Sequence, residues 1–467
     1  MEHFDNTICA PATAAGGAIA IIRVSGLHAI SCVDQIFQGR KPLHSVPGYS
    51  MHFGKVCEPD GALLDEVLVS VFRAPHSYTG ENAVEIACHG SGYIVSRILS
   101  LLLRNGAKMA TPGEFTQRAF LHGKMDLSQA EAVADLVAAR TAAAHRIALK
   151  QLKGGFSDEL AGMRAELLHI ASLMELELDF SEEDVEFADR KQLRELVEKV
   201  LSHIEKLIES FSLGNAIKNG VPVAIVGSTN SGKSTLLNAL LGESRAIVSD
   251  IAGTTRDTIE ETLNLDGVLF RFIDTAGLRE SDDVIERIGI ERAYAKLSEA
   301  RLVLALLDLT TTPAERIASA KDIASHVSAD QQVIFLLNKA DAMPVAATAE
   351  ARRALSPLLS SAAGRQLYII SAKEKVGLED LRHALADTYR ALDAGAETTL
   401  VTNLRHVEAL QNAATPLRRV LDGIGTTPTD LLTQDLREAL HHLGTITGEI
   451  TTDEILGNIF AKFCIGK

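Results

Sequence analysis

VPVAIVGSTNSGKSTLLNALLG, residues 221–242, carries the reading on which the fold turns. Gly227 to Ser234 fits G-x-x-x-x-G-K-[ST], preceded by an apolar strand-like run and followed by a helix-like one. That strand–loop–helix order is what phosphate binding asks for. Gly227 and Gly232 let the backbone wrap tightly with its amides turned inward, and the helix N-terminus adds its positive end. Lys233 reaches the β- and γ-phosphates, and the hydroxyl of Ser234 can ligate Mg²⁺.

Outward from this loop, three further pieces follow in a fixed order. "DTAG" (Asp274, Thr275, Ala276, Gly277) ends an apolar run, with Asp274 able to hold the Mg²⁺ shell and Gly277 N–H able to meet a γ-phosphate. "NKAD" offers Asp341 to the guanine N1 and N2 donors, with Asn338 and Lys339 bracing the base. "SAK" (Ser371, Ala372, Lys373) brings backbone toward guanine O6. Adenine lacks the donors that a carboxylate selects, so the set indicates GTP over ATP and resembles the GTPase branch of the phosphate-loop proteins. "SDIAGTTRD" (from Ser249 through Asp250, Ile251, Ala252, Gly253, Thr254 and Thr255) lies in the switch I position and resembles the Era-like group. Either Thr254 or Thr255 can close over Mg²⁺. Asn230, Ser231 and Thr235 complete the expected nucleotide contacts. Leu278 stands where Ras-type enzymes place a water-orienting glutamine. The acids after it (Glu280, Asp282, Asp283, Glu286) include candidates for that work and read individually as a solvated loop.

Apolar runs alternate with helix-length stretches between about 216 and 392, which predicts a parallel sheet covered by helices. Residues 1–122 read as a mixed domain, with "GAIAIIRVSG", "LDEVLVSVFRA" and "NAVEIACHG" as strands and "YIVSRILSLLLRNG" as a helix. Residues 123–215 and 393–467 are helical in pattern, the first part interrupted by "GG" at 154–155. The expected fold class is therefore multidomain: an N-terminal α+β domain, a helical bundle, and a Ras-like α/β domain inserted into the helical one.

At 467 residues with 46% hydrophobic and 23% charged content, several cores are affordable in one chain. The net charge of −15 disfavours a nucleic-acid-binding surface at large, so RNA would need a local patch or a second protein. Five cysteines without a C-x-x-C pair speak against a disulfide framework or a thiolate zinc site and for a reducing, cytoplasmic location. The sequence predicts no membrane span and no secretory signal. "FCIGK" (463–467) superficially fits a prenylation box, but Gly466 and Lys467 suit it poorly and no polybasic run supports it. Read on their own, Arg23 and Glu81 are surface charges.

"TICAPAT", "HSYTGENAVEIACHG", "PGEFTQRAFLHGKMDLSQAEAV", "IERIGIERA" and "FCIGK", in that order, resemble the MnmE (TrmE) family from end to end. The resemblance implies a tRNA-modifying GTPase that, with the flavin-dependent partner MnmG, installs an aminomethyl-type group on C5 of the wobble uridine. It implies a homodimer and a folate site (5-formyltetrahydrofolate or a related tetrahydrofolate) lined by Arg23, Glu81, Lys124 and Lys467. It further implies K⁺ held by Asn230, Ser249, Ile251 and Thr254, Mg²⁺ held by Ser234 and Thr255, and Glu286 as the water-orienting acid beside Lys233. Cys464 then becomes a candidate catalytic thiol near a one-carbon donor. An Era-type RNA-binding switch is the competing expectation; it calls for a KH-type module or a basic extension, whereas the remainder here is acidic and helical.

Overall fold

The computed structural model describes residues 6–14, 16–179, 189–242, 261–265, 267–273, 297, 299–328, 331–360, 365–393, 399–461, 463–464 and 466. They group into two compact units, Met1–Val137 with Ala148–Ile204 and Glu408–Lys467, and Ala138–Ile147 with Glu205–Val407.

The first unit opens with β1 (Ile8–Pro11), β2 (Ile19–Ser25), α1 (Ala29–Asp34), β3 (Phe37–Gly39), β4 (Ser50–Cys57), β5 (Leu63–Phe72), β6 (Ala83–His89), α2 (Gly92–Arg104), β7 (Lys108–Met109) and α3 (Glu114–Leu121). The strands make one sheet in the order β3-β4-β5-β6-β2-β1-β7, antiparallel except for the β1–β7 pair. Period-two alternation assigns its faces. On β5, Val67, Val69 and Val71 turn into a core shared with Ile22, Val24, Val84, Ile86 and the helix residues Ile98 and Leu102. The intervening positions form the other face, where Met51, Phe53 and Leu68 are exposed and Arg23 pairs with Glu85. Phe37 lies across this sheet's edge; a Cβ on Gly54 would come within 2.5 Å of its ring, so that position has room for hydrogen alone.

Helices α4 (Leu127–Ala138), α5 (Ala142–Leu152), α6 (Gly155–Asp179) and α7 (Arg190–Asn219) follow. The Ala-rich stretch therefore breaks at 139–141 as well as at the glycine pair. Thr141 accepts from Ala144 N–H (3.1 Å), the side-chain bond of a helix start, which composition alone hid. Helices α12 (Leu404–Gly423), α13 (Thr429–Thr447) and α14 (Asp453–Phe460) come later in the chain. Leu127 and Ala130 of α4 share a cluster with Leu456, Ile459, Phe460 and Phe463, which brings the segment after α14 onto the first unit.

The second unit holds β8 (Val221–Gly227), α8 (Lys233–Gly242), β9 (Glu261–Leu265), β10 (Val268–Phe272), β11 (Leu302–Asp308), α9 (Pro313–Ser325), β12 (Gln332–Asn338), α10 (Val345–Ser360), β13 (Arg365–Ile369) and α11 (Leu378–Asp393). Its sheet order is β13-β12-β11-β8-β10-β9, parallel except for the β9–β10 pair. Both faces are buried. Val221, Val223, Leu304 and Leu306 meet one apolar layer with α8 and α11. Ala224, Val226, Ala305 and Phe335 meet the other, with α9 and α10. Continuous apolar runs are the sequence consequence of that double burial. Strand β9 escaped the sequence reading, although "ETLNLDGVLFRF" contains alternation around an Asp-Gly turn; Gly267 there has φ +90°.

Candidate nucleotide and sheet-face sites

In the parallel sheet, β8 lies between β10 and β11, and ligands of such sheets bind beyond the strands' carboxyl ends. The loop from Gly227 to Lys233 leaves β8 at that edge. Asn230 (φ +62°) and Gly232 (φ +99°) take left-handed conformations that curl it, and Ser231 N–H donates to Ser228 O (3.1 Å). A Cβ on Gly227 would lie 2.5 Å from Leu306 O, and one on Gly232 would lie 2.3 Å from Asn338 Nδ2. Both glycines are thus required by close approach.

Asn338 explains the second of these contacts. Its buried amide donates to Ser231 O (2.8 Å) while its Oδ1 accepts from Ala372 N–H (3.0 Å). One side chain therefore ties the phosphate loop at the end of β8 to the 371–373 loop after β13. Asp341 accepts a short hydrogen bond from Ser371 Oγ, which holds its carboxyl below the usual range, and Ser371 Oγ in turn accepts from Glu374 N–H (3.1 Å). The carboxylate expected to read guanine is thus kept ionised and aimed by the loop expected to meet O6. The Lys233 ammonium donates to Gly227 O (2.9 Å) and Ser228 O (3.0 Å), and burial pushes its pKa down. Two backbone carbonyls of the loop thus hold the charge against the loop itself. Ser234 and Thr235 are exposed on the first turn of α8.

Residues Ser249, Asp250, Ile251, Ala252, Gly253, Thr254, Thr255, Asp274, Thr275, Ala276, Gly277, Leu278, Glu280, Asp282, Asp283, Glu286 and Lys467 lie outside the described residues.

The first unit has its own constellation on the non-core face of the antiparallel sheet. Arg23 of β2 donates to Glu85 of β6, its register partner, at 2.8–2.9 Å, and to Gly466 O at 3.3 Å. Its guanidinium lies 5.6 Å from the Tyr78 ring centroid and 5.7 Å from that of Phe115. Tyr78 Oη shares a hydrogen bond with Thr116 Oγ1 (2.9 Å), and burial raises the phenol's pKa. Glu81 accepts from Ser25 Oγ (2.8 Å) and from Arg118 (3.0 Å). Arg118 is 1% exposed and also bonds Glu114 and Asn6 O. Lys124 is exposed and donates to Pro75 O (3.0 Å).

The surface reading of Arg23 and Glu81 is therefore wrong: their side chains are 24% and 10% exposed. Arg23 in mid-strand and Glu81 in the loop before β6 look solvated in sequence because their partners lie far off in the chain, at positions 85, 118 and 466. Missed entirely were Tyr78, Phe115 and Arg118, whose only sequence signal is their place inside the "HSYTGE" and "GEFTQRAF" stretches.

Gly466 (φ +97°) lies against the end of β1, where a Cβ would come within 2.1 Å of Pro11 O. Cys464 is exposed, and its carbonyl accepts from Gly113 N–H (3.5 Å). Cys9 and Cys88 are buried thiols pushed up to about 11, Cys9 by burial and then its neighbour Cys32, Cys88 by burial and then Asp65. They are packing residues at neutral pH.

Two family models match the chain: the GTP-binding protein TrmE N-terminus over residues 7–124 and the MnmE helical domain over residues 127–464. The tRNA modification GTPase MnmE of Bacteroides thetaiotaomicron is 50% identical over 99% of this chain and 99% of its own. This chain belongs to the MnmE family. Its counterpart from Cytophaga hutchinsonii is 49% identical over 100% of this chain and 99% of the relative. Among solved structures, a GTP-binding protein from Sulfolobus solfataricus in complex with GDP aligns over 49% of this chain and 67% of its own, at 19% identity with a TM-score of 0.29. The full-length MnmE relatives span both the sheet-edge loops and the sheet-face constellation, so family membership bears on the two together.

Proposed function

We propose that the protein hydrolyses GTP at the loops after β8, β12 and β13 and couples that turnover to modification of C5 of the tRNA wobble uridine. The observation that carries the nucleotide half is the Asn338 bridge, with Asp341 aimed by Ser371. Nucleotide contacts fall to Asn230, Ser231, Gly232, Lys233, Ser234 and Thr235, with 249–255 and 274–277 closing over the phosphates. Asp341 then selects guanine.

Ser234, exposed at the start of α8, suits a Mg²⁺ ligand with Thr255, and Asn230, exposed on the loop crest, suits an amide-oxygen ligand of K⁺ with Ser249, Ile251 and Thr254. These ions supply positive charge toward the β- and γ-phosphates, the work an arginine finger does elsewhere. Lys233 binds and orients the phosphates, and Glu286 orients the attacking water in place of the glutamine that Leu278 replaces.

The sheet-face site, in this reading, binds a tetrahydrofolate one-carbon donor such as 5-formyltetrahydrofolate through Arg23, with Glu81, Lys124 and Lys467 contributing. Cys464 offers a thiol beside it. Arg23 beside two rings and Arg118 anchoring Glu81 give this face both aromatic and charged character, which suits a pterin bearing a carboxylated tail. The domain assignment is 1–122 for donor binding and dimerisation, 123–215 and 393–467 for the helical domain, and 216–392 for the inserted GTPase. The working form is a cytoplasmic homodimer acting on tRNA with MnmG.

The test has two arms. GTP hydrolysis measured in K⁺ and in Na⁺ at equal ionic strength should differ by about tenfold or more, roughly 1.4 kcal/mol of barrier. Mass spectrometry of wobble uridines from a deletion strain should show the C5 modification restored by the wild-type chain and not by Cys464→Ser. Equal rates in both salts would remove the K⁺ assignment, and unmodified uridine after complementation would remove the tRNA role.

A further inference from the structure

Strand β11 ends on Asp308, a residue that none of the expected nucleotide motifs includes. Its register partner on β12 is Asn338, and Leu309 N–H donates to Asn338 O (3.1 Å), so the turn after β11 is stitched to the start of "NKAD". The carboxylate is divided between two tasks. Oδ1 accepts from Thr310 N–H (2.8 Å) and Thr310 Oγ1 (2.6 Å), while Oδ2 meets Lys339 Nζ at 2.6 Å. Lys339 has φ +66°, a conformation that sends its side chain back across the strand ends toward β11. The turn itself is held from below. Arg316, 7% exposed, donates to Asp308 O (3.3 Å), Leu309 O (3.1 Å) and Thr311 O (2.6 Å), and Thr312 caps α9 in a reciprocal pair with Glu315. Burial pushes the Asp308 carboxyl up, and the bonds from Lys339 and Thr310 more than reverse this, keeping it ionised.

We infer that Asp308 is a positioning residue for the guanine pocket: it anchors the Lys339 ammonium so that the lysine stem is laid out as a fixed wall beside Asp341. A lysine stem is costly to immobilise, and an anchor already formed in the free protein removes that cost from nucleotide binding. The Arg316-braced turn supplies a rigid support, since nothing that holds Asp308 depends on nucleotide. This inference rests on the guanine-nucleotide reading above.

The competing account is that Asp308 merely closes its own turn through Thr310. Asp308→Asn separates the two, because it keeps an oxygen for Thr310 and removes the charge that Lys339 meets. Equilibrium binding of GDP to the full-length protein should weaken about tenfold in Asp308→Asn, the scale of a lost charge-assisted bond. A double-mutant cycle adds the readout that a turn-closing role would not move. In a Lys339→Ala background, Asp308→Asn should cost no more than about twofold further. Wild-type affinity in Asp308→Asn, or an undiminished loss in the Lys339→Ala background, would overturn the inference. Failure of the wild-type chain itself to bind GDP would fell the guanine reading instead. Asp308→Glu, with its longer reach to Lys339, should recover part of the lost affinity, and no recovery despite a wild-type melting temperature would count against the anchor.

Discussion

The two sheets place their chemistry in opposite ways. In the parallel sheet the described candidate groups lie at or just beyond a strand's carboxyl end, as Lys233 follows β8, Asn338 ends β12 with Asp341 just after it, and Ser371 follows β13. In the antiparallel sheet the groups lie on a face, with Arg23 and Glu85 in mid-strand and their neighbours supplied by a loop, a helix and the 463–466 segment. Parallel strands with helical crossovers all point one way, so their ends converge at one edge and each loop carries a short motif in chain order. Antiparallel strands alternate in direction and converge at no edge. Their shared surface is a face, assembled from every second residue of several strands. A site at an edge is held by a few loop-to-loop ties, and a site on a face by register and by whatever packs on it.

That contrast can be broken most severely at Asn338. Asn338→Ala leaves Ser231 O and Ala372 N–H without their buried partner, each worth about 1–3 kcal/mol. Guanine-nucleotide affinity should fall by about 30-fold or more, since both loops lose their tie at once. The face site should be untouched, and folate binding measured on the same preparation checks this. A loss of both would mean that the edge and the face are not independent.

A smaller effect is expected at Gly466. Alanine there must hold a left-handed backbone, costing about 1–2 kcal/mol, and its methyl would press on Pro11 O. The 463–466 segment should lift, Arg23 should lose its carbonyl partner, and folate affinity should drop about tenfold. GTP turnover should stay within about twofold, well below 1 kcal/mol of barrier. Faster carboxypeptidase trimming of the variant would report the lifting directly.

The smallest effect concerns pH. Ser371 holds the Asp341 carboxyl below its usual value, so the ionised form that guanine requires persists as acid is added and is lost only as pH falls through that lowered value. GDP affinity should show no Asp341 titration above the ordinary carboxylate range. In Ser371→Ala the acid limb should move upward, toward the ordinary carboxylate value, with affinity at pH 7 changed far less. An acid limb that stays in place would show that Asp341 owes its ionisation to something other than Ser371.

What was legible in the sequence follows the same division. The phosphate loop, "NKAD" and "SAK" could be read one at a time because a strand end needs only its own few residues to carry a function. Strand β11 was read as an apolar run, but Asp308 was not singled out, because its partner Lys339 is 31 positions away. On the face, Arg23 and Glu81 were lifted above ordinary charges only by family resemblance. Register places Arg23 beside Glu85, but nothing local announces that Gly466, 443 residues on, completes its shell. The break before α5 was hidden for another reason: alanine favours helix so evenly that only the Thr141 bond marks where one helix begins.

The seating of Gly466 on β1 has a consequence in time. Gly466 touches Pro11 and Ala12 in the folded unit, yet synthesis separates them by about 450 residues, roughly 20–90 s at 5–20 residues per second. For the part of that interval after residue 130 has been made, Arg23 can meet Glu85 but not its carbonyl partner, and Leu127 and Ala130 lack the four apolar neighbours that come from 456–463. A nascent chain stopped anywhere in the second sheet would lack the Gly466 carbonyl at Arg23. The same contact that closes the site thus reports that the intervening residues have been made, and chains interrupted by a premature stop would lack it.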